Sequence, residues 1–264
     1  MILSPIEQSI KRKIEAIGTP LKDWDINIYR GVLTGYNEAF IISTEKRNEI
    51  LDNCQTEEER QRTEELIRPI LRGRDIKRYG YDWAGLWLIA TFPSRHYDIE
   101  DYPAVKEHLL SFGMHRLEQT GKSYNIDGTT IKARKKTNNK WFETQDSISY
   151  WEDFAQPRIV YREIGTDMDA CLVDKGWMIN NKLYMISGES LHHLLNFFNS
   201  KLFNRIILSS ANLTGGKGVD YIQKIIVPLP AECDLSELDE YETAAKLFEL
   251  YGLTSDEIDF VEKL

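Results

Sequence analysis

The chain has 264 residues, 42% of them hydrophobic and 28% charged, which suits one large soluble domain or a domain with an appendage. No apolar run approaches the roughly 18 residues of a membrane span, the opening MILSPIEQSIKRK lacks the order of a signal peptide, and three scattered cysteines (Cys54, Cys171, Cys233) argue against a disulfide framework. A cytoplasmic protein with no membrane partner is expected. The net charge of −9 is unevenly placed: residues 231–264 hold eleven acids and two bases, so residues 1–230 are formally neutral, and 116–141 carry seven Lys/Arg against Glu118 and Asp127. A local basic excess matters more for a nucleic-acid surface than the global balance.

Ser4-Pro5-Ile6-Glu7 is a capping box with proline at the first helical position, and Ile6, Ile10, Ile14 and Ile17 follow at helical spacing. A helix over 4–17 is predicted, stopped by Gly18-Thr19-Pro20. Alternation predicts strands over 26–32 and 39–43, with TGYN (34–37) as the turn between them. Helices are expected over 44–54 and 56–68, the second opened by Thr56-Glu57-Glu58-Glu59 and ended by Pro69. A strand follows at 86–91 and a helix at 103–112, with Pro103 in its first turn. Residues 113–150 read as irregular and basic. Strands are expected at 158–164, 170–173 and 183–186. A long apolar helix follows over 189–210, with a break near Asn199-Ser200. A strand over 222–227 closes on Pro228-Leu229-Pro230, and two acidic helices, about 235–250 and 254–263, end the chain.

A complete active site is hard to find. TGGKG (214–218) lacks the spacing of a phosphate-binding loop and reads as a tight connection; its functional alternative is a cradle in which Lys217 holds one phosphate. The five histidines form no HExxH, and no cysteine pair has ligand spacing. Asp75-Ile76-Lys77 is a D-x-K triplet of the kind metal-dependent nucleases use, but such triplets arise often by chance. No GxSxG surrounds any serine.

The segment GKSYNIDGTTIKARKKTNNKWF (121–142) is more informative. Lys122, Lys132, Arg134, Lys135, Lys136 and Lys140 are interleaved with Asn138, Asn139 and other hydrogen-bonding residues. Lysine and arginine neutralise phosphates, while asparagine and arginine can read base edges. The plain alternative is a solvated charged loop. A second basic stretch, RPILRGRDIKRY (68–79), carries Arg74 among five bases; the plain alternative is that its apolar residues dock while the bases stay wet.

Several segments, in order, resemble the C-terminal target-recognition (specificity) domain of TaqI-like adenine-N6 DNA methyltransferases and type IIG restriction-modification enzymes. They are GVLTGYNEAFII, IRPILRGRDIKRYGYDWAGLWLIAT, PAVKEHLLSF, KWFETQDSISYWEDFAQPRIVYREI, LLNFFNSKLF, KGVDYIQKIIVPLP and LYGLTSDEIDFVE. They span about 24–264. In the resembled family the TG-x-N turn is a hallmark, which makes Thr34 and Asn37 either turn formers or phosphate contacts.

The resemblance implies an α+β fold: a β-rich recognition core of twisted mixed or antiparallel sheet, surrounding helices and a helical acidic C-terminus. It implies a connector helix over 1–23, a recognition domain over 24–230 and an acidic segment over 231–264. The implied function is recognition of a double-stranded DNA sequence on behalf of a methyltransferase domain that precedes this one or sits on a separate chain. This chain would hold no cofactor and do no catalysis. S-adenosylmethionine, and Mg²⁺ where the parent enzyme also cleaves in bacterial defence, would belong to the catalytic domains. Expected DNA-binding residues are Thr34, Asn37, Arg74, Lys122, Lys132, Arg134, Lys135, Lys136, Asn138, Asn139, Lys140 and Lys217. The alternatives are a protein-interaction subunit that pairs with a separate methyltransferase, and a stand-alone nuclease using Asp75 and Lys77.

Overall fold

The computed structural model describes residues 3–208 and 218–263. Its main elements open with helix α1 (Pro5–Glu15), strands β1 (Ile26–Arg30) and β2 (Ile41–Ser43), and helices α2 (Thr44–Asp52) and α3 (Glu57–Leu66). Strands β3 (Ile67–Leu71) and β4 (Leu86–Ile89), helix α4 (Pro103–Leu110) and the hairpin β5 (Ser123–Ile126) and β6 (Thr129–Lys132) follow. Strands β7 (Arg158–Arg162), β8 (Cys171–Val173), β9 (Met178–Ile179) and β10 (Leu183–Gly188) precede helices α5 (Leu191–Asn199), α6 (Glu240–Leu250) and α7 (Ser255–Lys263). The fold is α+β.

Two four-stranded sheets organise these elements. One is antiparallel, in the order β8-β7-β10-β1. The other is mixed, in the order β9-β3-β4-β2, with β9 parallel to β3. A parallel bridge between Val32 and Asn180 links the chain leaving β1 to the segment between β9 and β10.

The antiparallel sheet is buried on both faces, and the two-residue period of its strands sorts side chains into two cores. Val160, Leu183 and Met185 face a core shared with Phe40, Leu66, Leu88 and Val105. Their neighbours Ile159, Tyr161, Tyr184 and Ile186 face a second core with Ile10, Ile14, Leu194, Leu247 and Val261. Each aliphatic side chain so buried contributes about 2 kcal/mol. The isoleucine stripe of α1 and the buried stripes of the acidic helices therefore lie in one core.

Local caps set the helix starts. Ser4 Oγ accepts from Glu7 N–H at 3.4 Å while Glu7 Oε2 accepts from Ser4 N–H at 2.6 Å. Thr56 accepts from Glu59 N–H at 3.1 Å. The buried Glu59 carboxylate then accepts from Ala104 N–H at 3.0 Å, tying α3 to the first turn of α4. The long apolar helix breaks where expected: α5 ends at Asn199, and Ser200 is extended (φ −67°, ψ 147°).

Four expectations need correction. Residues 37–40 form a single helical turn before β2, not the start of a strand. Pro69 does not merely end α3; it lies inside β3. Met178 and Ile179 of β9 pair only with Ile70 and Leu71, so Pro69 sits where that edge is uncovered and its missing N–H is not needed. Residues 219–222 are helical, and only Ile226–Val227 pairs as strand, with Thr19–Pro20. The stretch 113–150 is not irregular throughout, since it contains the β5–β6 hairpin.

Candidate nucleic-acid interface

The turn at Thr34 is built from its own side chains. Thr34 is fully buried; its Oγ1 donates to Asn37 Oδ1 at 2.7 Å and accepts from Tyr36 N–H at 3.2 Å. Gly35 has φ +77°, and a Cβ there would lie 2.7 Å from Gln145 Oε1 and 3.0 Å from Arg134 Cδ. Glycine is needed both for the left-handed backbone and for this close approach.

The group brought so close is the Arg134 guanidinium. It donates to four carbonyl oxygens: Leu117 (2.9 Å), Thr34 (2.9 Å), Glu143 (2.7 Å) and Trp141 (2.6 Å). It also stacks over Phe40, 5.0 Å from the ring centroid. Burial pulls its pKa down to about 10, with Glu143 opposing, so it remains charged near neutrality. Arg134 thus fastens the turn, the helical turn at 114–117 and the loop at 141–143 into one unit.

Around that unit the surface is basic. A 360 Å³ cleft is lined by Gly35, Tyr36, Arg116, Lys132 and Lys135. On the other side of the turn, Asn37 and Glu38 share a 480 Å³ cleft with Arg72, Arg74, Asn180 and Lys182. A third, of 230 Å³, continues from Arg74 and Lys182 to Arg162. The turn therefore joins two basic stretches that are distant in sequence. Acids temper the face: Glu163 lies 3.0 Å from Arg30 and 3.5 Å from Lys182, and Asp169 pairs with Arg162. Among the described residues, no carboxylate lies within ion-pair distance of the exposed Arg74, Lys122, Lys132, Lys135, Lys136 or Lys140.

The expected site residues divide accordingly. Arg74, Lys122, Lys132, Lys135, Lys136, Asn138 and Lys140 are exposed. Asn37 is exposed too, with its Oδ1 engaged by Thr34. Thr34 and Arg134 are corrected from surface contacts to scaffold, because burial and internal hydrogen bonds occupy their polar atoms. Asn139 is corrected likewise: it is half-buried and its amide donates to the carbonyls of Thr144 (3.2 Å) and Gln145 (2.9 Å). Lys217 lies outside the described residues. Lys182, a lone base in NNKLY, carried no sequence signal; only folding places it beside Arg74.

The D-x-K triplet does not present a metal site. Asp75 is 2% exposed, and Arg72 holds both its oxygens, Nη2 to Oδ1 at 2.9 Å and Nε to Oδ2 at 3.2 Å. Among the described residues no three His, Cys, Asp or Glu side chains converge as metal ligands. Arg78 is structural as well. It reaches Asn199 O at 2.6 Å and Glu240 at 2.9 Å, joining the 76–81 ribbon to α5 and α6.

A family model described as the TaqI-like C-terminal specificity domain matches residues 68–230. The chain belongs to this family. Its matched span contains every expected site residue except Thr34 and Asn37. Among solved structures, the type IIG restriction endonuclease BpuSI superposes with a TM-score of 0.51 at 12% identity, over 99% of this chain and 28% of that one. The type IIL restriction-modification enzyme MmeI, solved in complex with DNA, gives 0.45 at 13% identity, over 94% of this chain and 33% of that one. The chain therefore spans about a third or less of either protein, and the BpuSI likeness is one of fold. No curated protein matches the chain. No helix among the described residues is long and apolar enough to cross a membrane.

Proposed function

We propose that this specificity domain recognises a sequence in double-stranded DNA and directs a methyltransferase domain to it. The observation that carries the reading is the gathering of unpaired cations around the Thr34–Asn37 turn. Arg74 comes from one segment, and Lys132 and Lys135 from another about 60 residues on. The chain's net negative excess lies in residues 231–264, where α6 and α7 pack in the second core.

In this reading the lysines and arginines hold the phosphate backbone and set register, which confers affinity without sequence preference. Adenine-N6 methylation, with S-adenosylmethionine as methyl donor, and any Mg²⁺-dependent cleavage belong to catalytic domains outside this chain. The buried Arg134 keeps the basic loop in one conformation, so less order is lost on binding.

The test is fluorescence anisotropy of a mixed-sequence duplex titrated with the protein at several salt concentrations. Six neutralised phosphates give a slope of log affinity against log salt of about −5. A flat dependence, or no binding at low salt, overturns the reading. It would favour the second one, a subunit that pairs with a methyltransferase chain. One feature supports that second reading: the groove between α6 and α7, where Tyr241 is 88% exposed beside Ala244, Ala245 and Phe248.

A further inference from the structure

The β5–β6 hairpin stands away from the body. Asp127 (φ +49°) and Gly128 (φ +79°) form its two-residue turn, the Asp-Gly geometry that matches the twist of paired strands. A Cβ on Gly128 would meet nothing within 4 Å, and every residue from 125 to 130 is exposed.

Its register divides the ribbon into two faces. Ser123 pairs with Lys132 and Asn125 with Thr130; Tyr124 pairs with Ile131 and Ile126 with Thr129. Directly paired residues share a face. Tyr124 fixes one face to the body, since its OH donates to Glu118 at 2.7 Å and its ring lies 4.3 Å from that of His115. The face of Asn125 and Thr130 therefore points away from that contact, with Lys132 at its root beside the 360 Å³ cleft. The root is rigid: Gly121 N–H donates to Arg134 O (2.8 Å), Ala133 N–H to Lys122 O (2.9 Å) and Arg134 N–H to Glu118 O (3.0 Å).

Charge along the ribbon is graded. Lys122 and Lys132 stand at the root, no base lies between them, and Asp127 occupies the tip. A hairpin that gripped phosphates would carry its cations at the tip. Root to tip is about 10 Å at about 3.3 Å per residue. That matches a major groove about 8.5 Å deep and about 12 Å wide, which admits a two-stranded ribbon.

We propose that this ribbon enters the major groove and that Asn125 and Thr130 read base edges there, with Lys122 and Lys132 on the flanking phosphates. Asparagine suits adenine, and the Asp127 carboxylate at the tip can accept from a cytosine amine. The proposal rests on the DNA-recognition reading above.

The experiment is selection of preferred duplexes from a random pool with the full chain. Anisotropy on the selected site and its single-base variants then compares wild type with Asn125→Ala/Thr130→Ala. The double variant is expected to keep its melting temperature, its salt slope and its mixed-sequence affinity within about twofold. It should lose about tenfold or more of the discrimination at one or two adjacent positions. A folded variant that selects the same site with the same discrimination overturns the ribbon proposal and leaves DNA recognition standing. Wild-type binding with no sequence preference overturns both the ribbon proposal and the sequence-recognition reading, leaving only a phosphate-binding surface. Absence of wild-type binding at low salt overturns both.

Discussion

The guanidinium of Arg134 donates to the carbonyl oxygen of Thr34 at 2.9 Å, across a sequence separation of one hundred residues. Three further carbonyls share the same group, so one cation holds together three segments that border the basic face. Arg158 plays a comparable part in the core. It is fully buried and donates to the carbonyls of Gln156 (3.0 Å), Asp174 (3.3 Å) and Trp177.

Arg134→Met should destabilise the fold by roughly 3 kcal/mol, because it leaves four carbonyls without their charged donor. Thermal denaturation should show a melting temperature lower by about 8 °C. Arg134→Lys should rescue little, since an ammonium cannot reach four acceptors in the guanidinium plane. A melting temperature equal to wild type in either variant would show that the loop is held by other contacts.

Gly35→Ala should cost about 2 kcal/mol, combining a left-handed backbone with a clash against Gln145 and Arg134. Gly128→Ala, also at positive φ but with open space around it, should cost about half that. Denaturant titration of the two variants checks the difference. Equal losses would show that crowding at Gly35 is relieved by side-chain movement.

Lys135→Ala/Lys136→Ala should weaken binding to all duplexes alike and reduce the salt slope by about 2, one phosphate for each lysine. Anisotropy at three salt concentrations suffices to measure it. An unchanged slope would remove both lysines from the contact surface.

Acid should loosen the second core in two steps. His193 Nε2 lies 2.8 Å from Pro228 O and its Nδ1 accepts from Leu235 N–H at 3.2 Å, an arrangement that needs the neutral ring. Burial holds its pKa below the ordinary 6.5, against Pro228 and Asp234. The unfolded chain therefore takes up the proton first, and this stabilisation, complete above about pH 6.5, declines as the pH falls. Glu257 follows. Burial raises its pKa, but hydrogen bonds from Lys13, Thr254 N–H and Ser9 outweigh it and hold the pKa at about 2. Its contribution is complete above about pH 4.5 and is lost toward about pH 2. Melting temperature against pH should flatten in the upper step for His193→Gln and in the lower step for Glu257→Gln. Unaltered profiles would assign the acid sensitivity to other groups.

Much of the local structure was legible because short-range interactions decide it. Ser4 and Glu7 are three residues apart, and their reciprocal bonds need nothing else to start α1. The TGYN turn likewise closes on itself through Thr34 and Asn37. The β5–β6 hairpin has a local signal as well, Asp127-Gly128 flanked by strand formers, which the expectation of an irregular 113–150 leaves unused. Pro69 misled for the opposite reason. Its effect on a strand depends on whether a partner covers that edge, and β9 comes from more than a hundred residues later in the chain.

The sequence by itself determined the capped starts of α1 and α3, the Thr34 turn and the acidic excess of residues 231–264, since each depends on near neighbours or on composition. It also placed basic side chains at both 68–79 and 116–141. Only the tertiary structure decided which of those cations face solvent. Arg134 and Lys135 are adjacent in the chain, yet one sits among carbonyls from three segments and the other is open. The tertiary structure alone also set Lys182 beside Arg74 and divided one sheet between two cores. Burial and proximity depend on contacts made across the whole chain, and no local pattern encodes where those partners will stand.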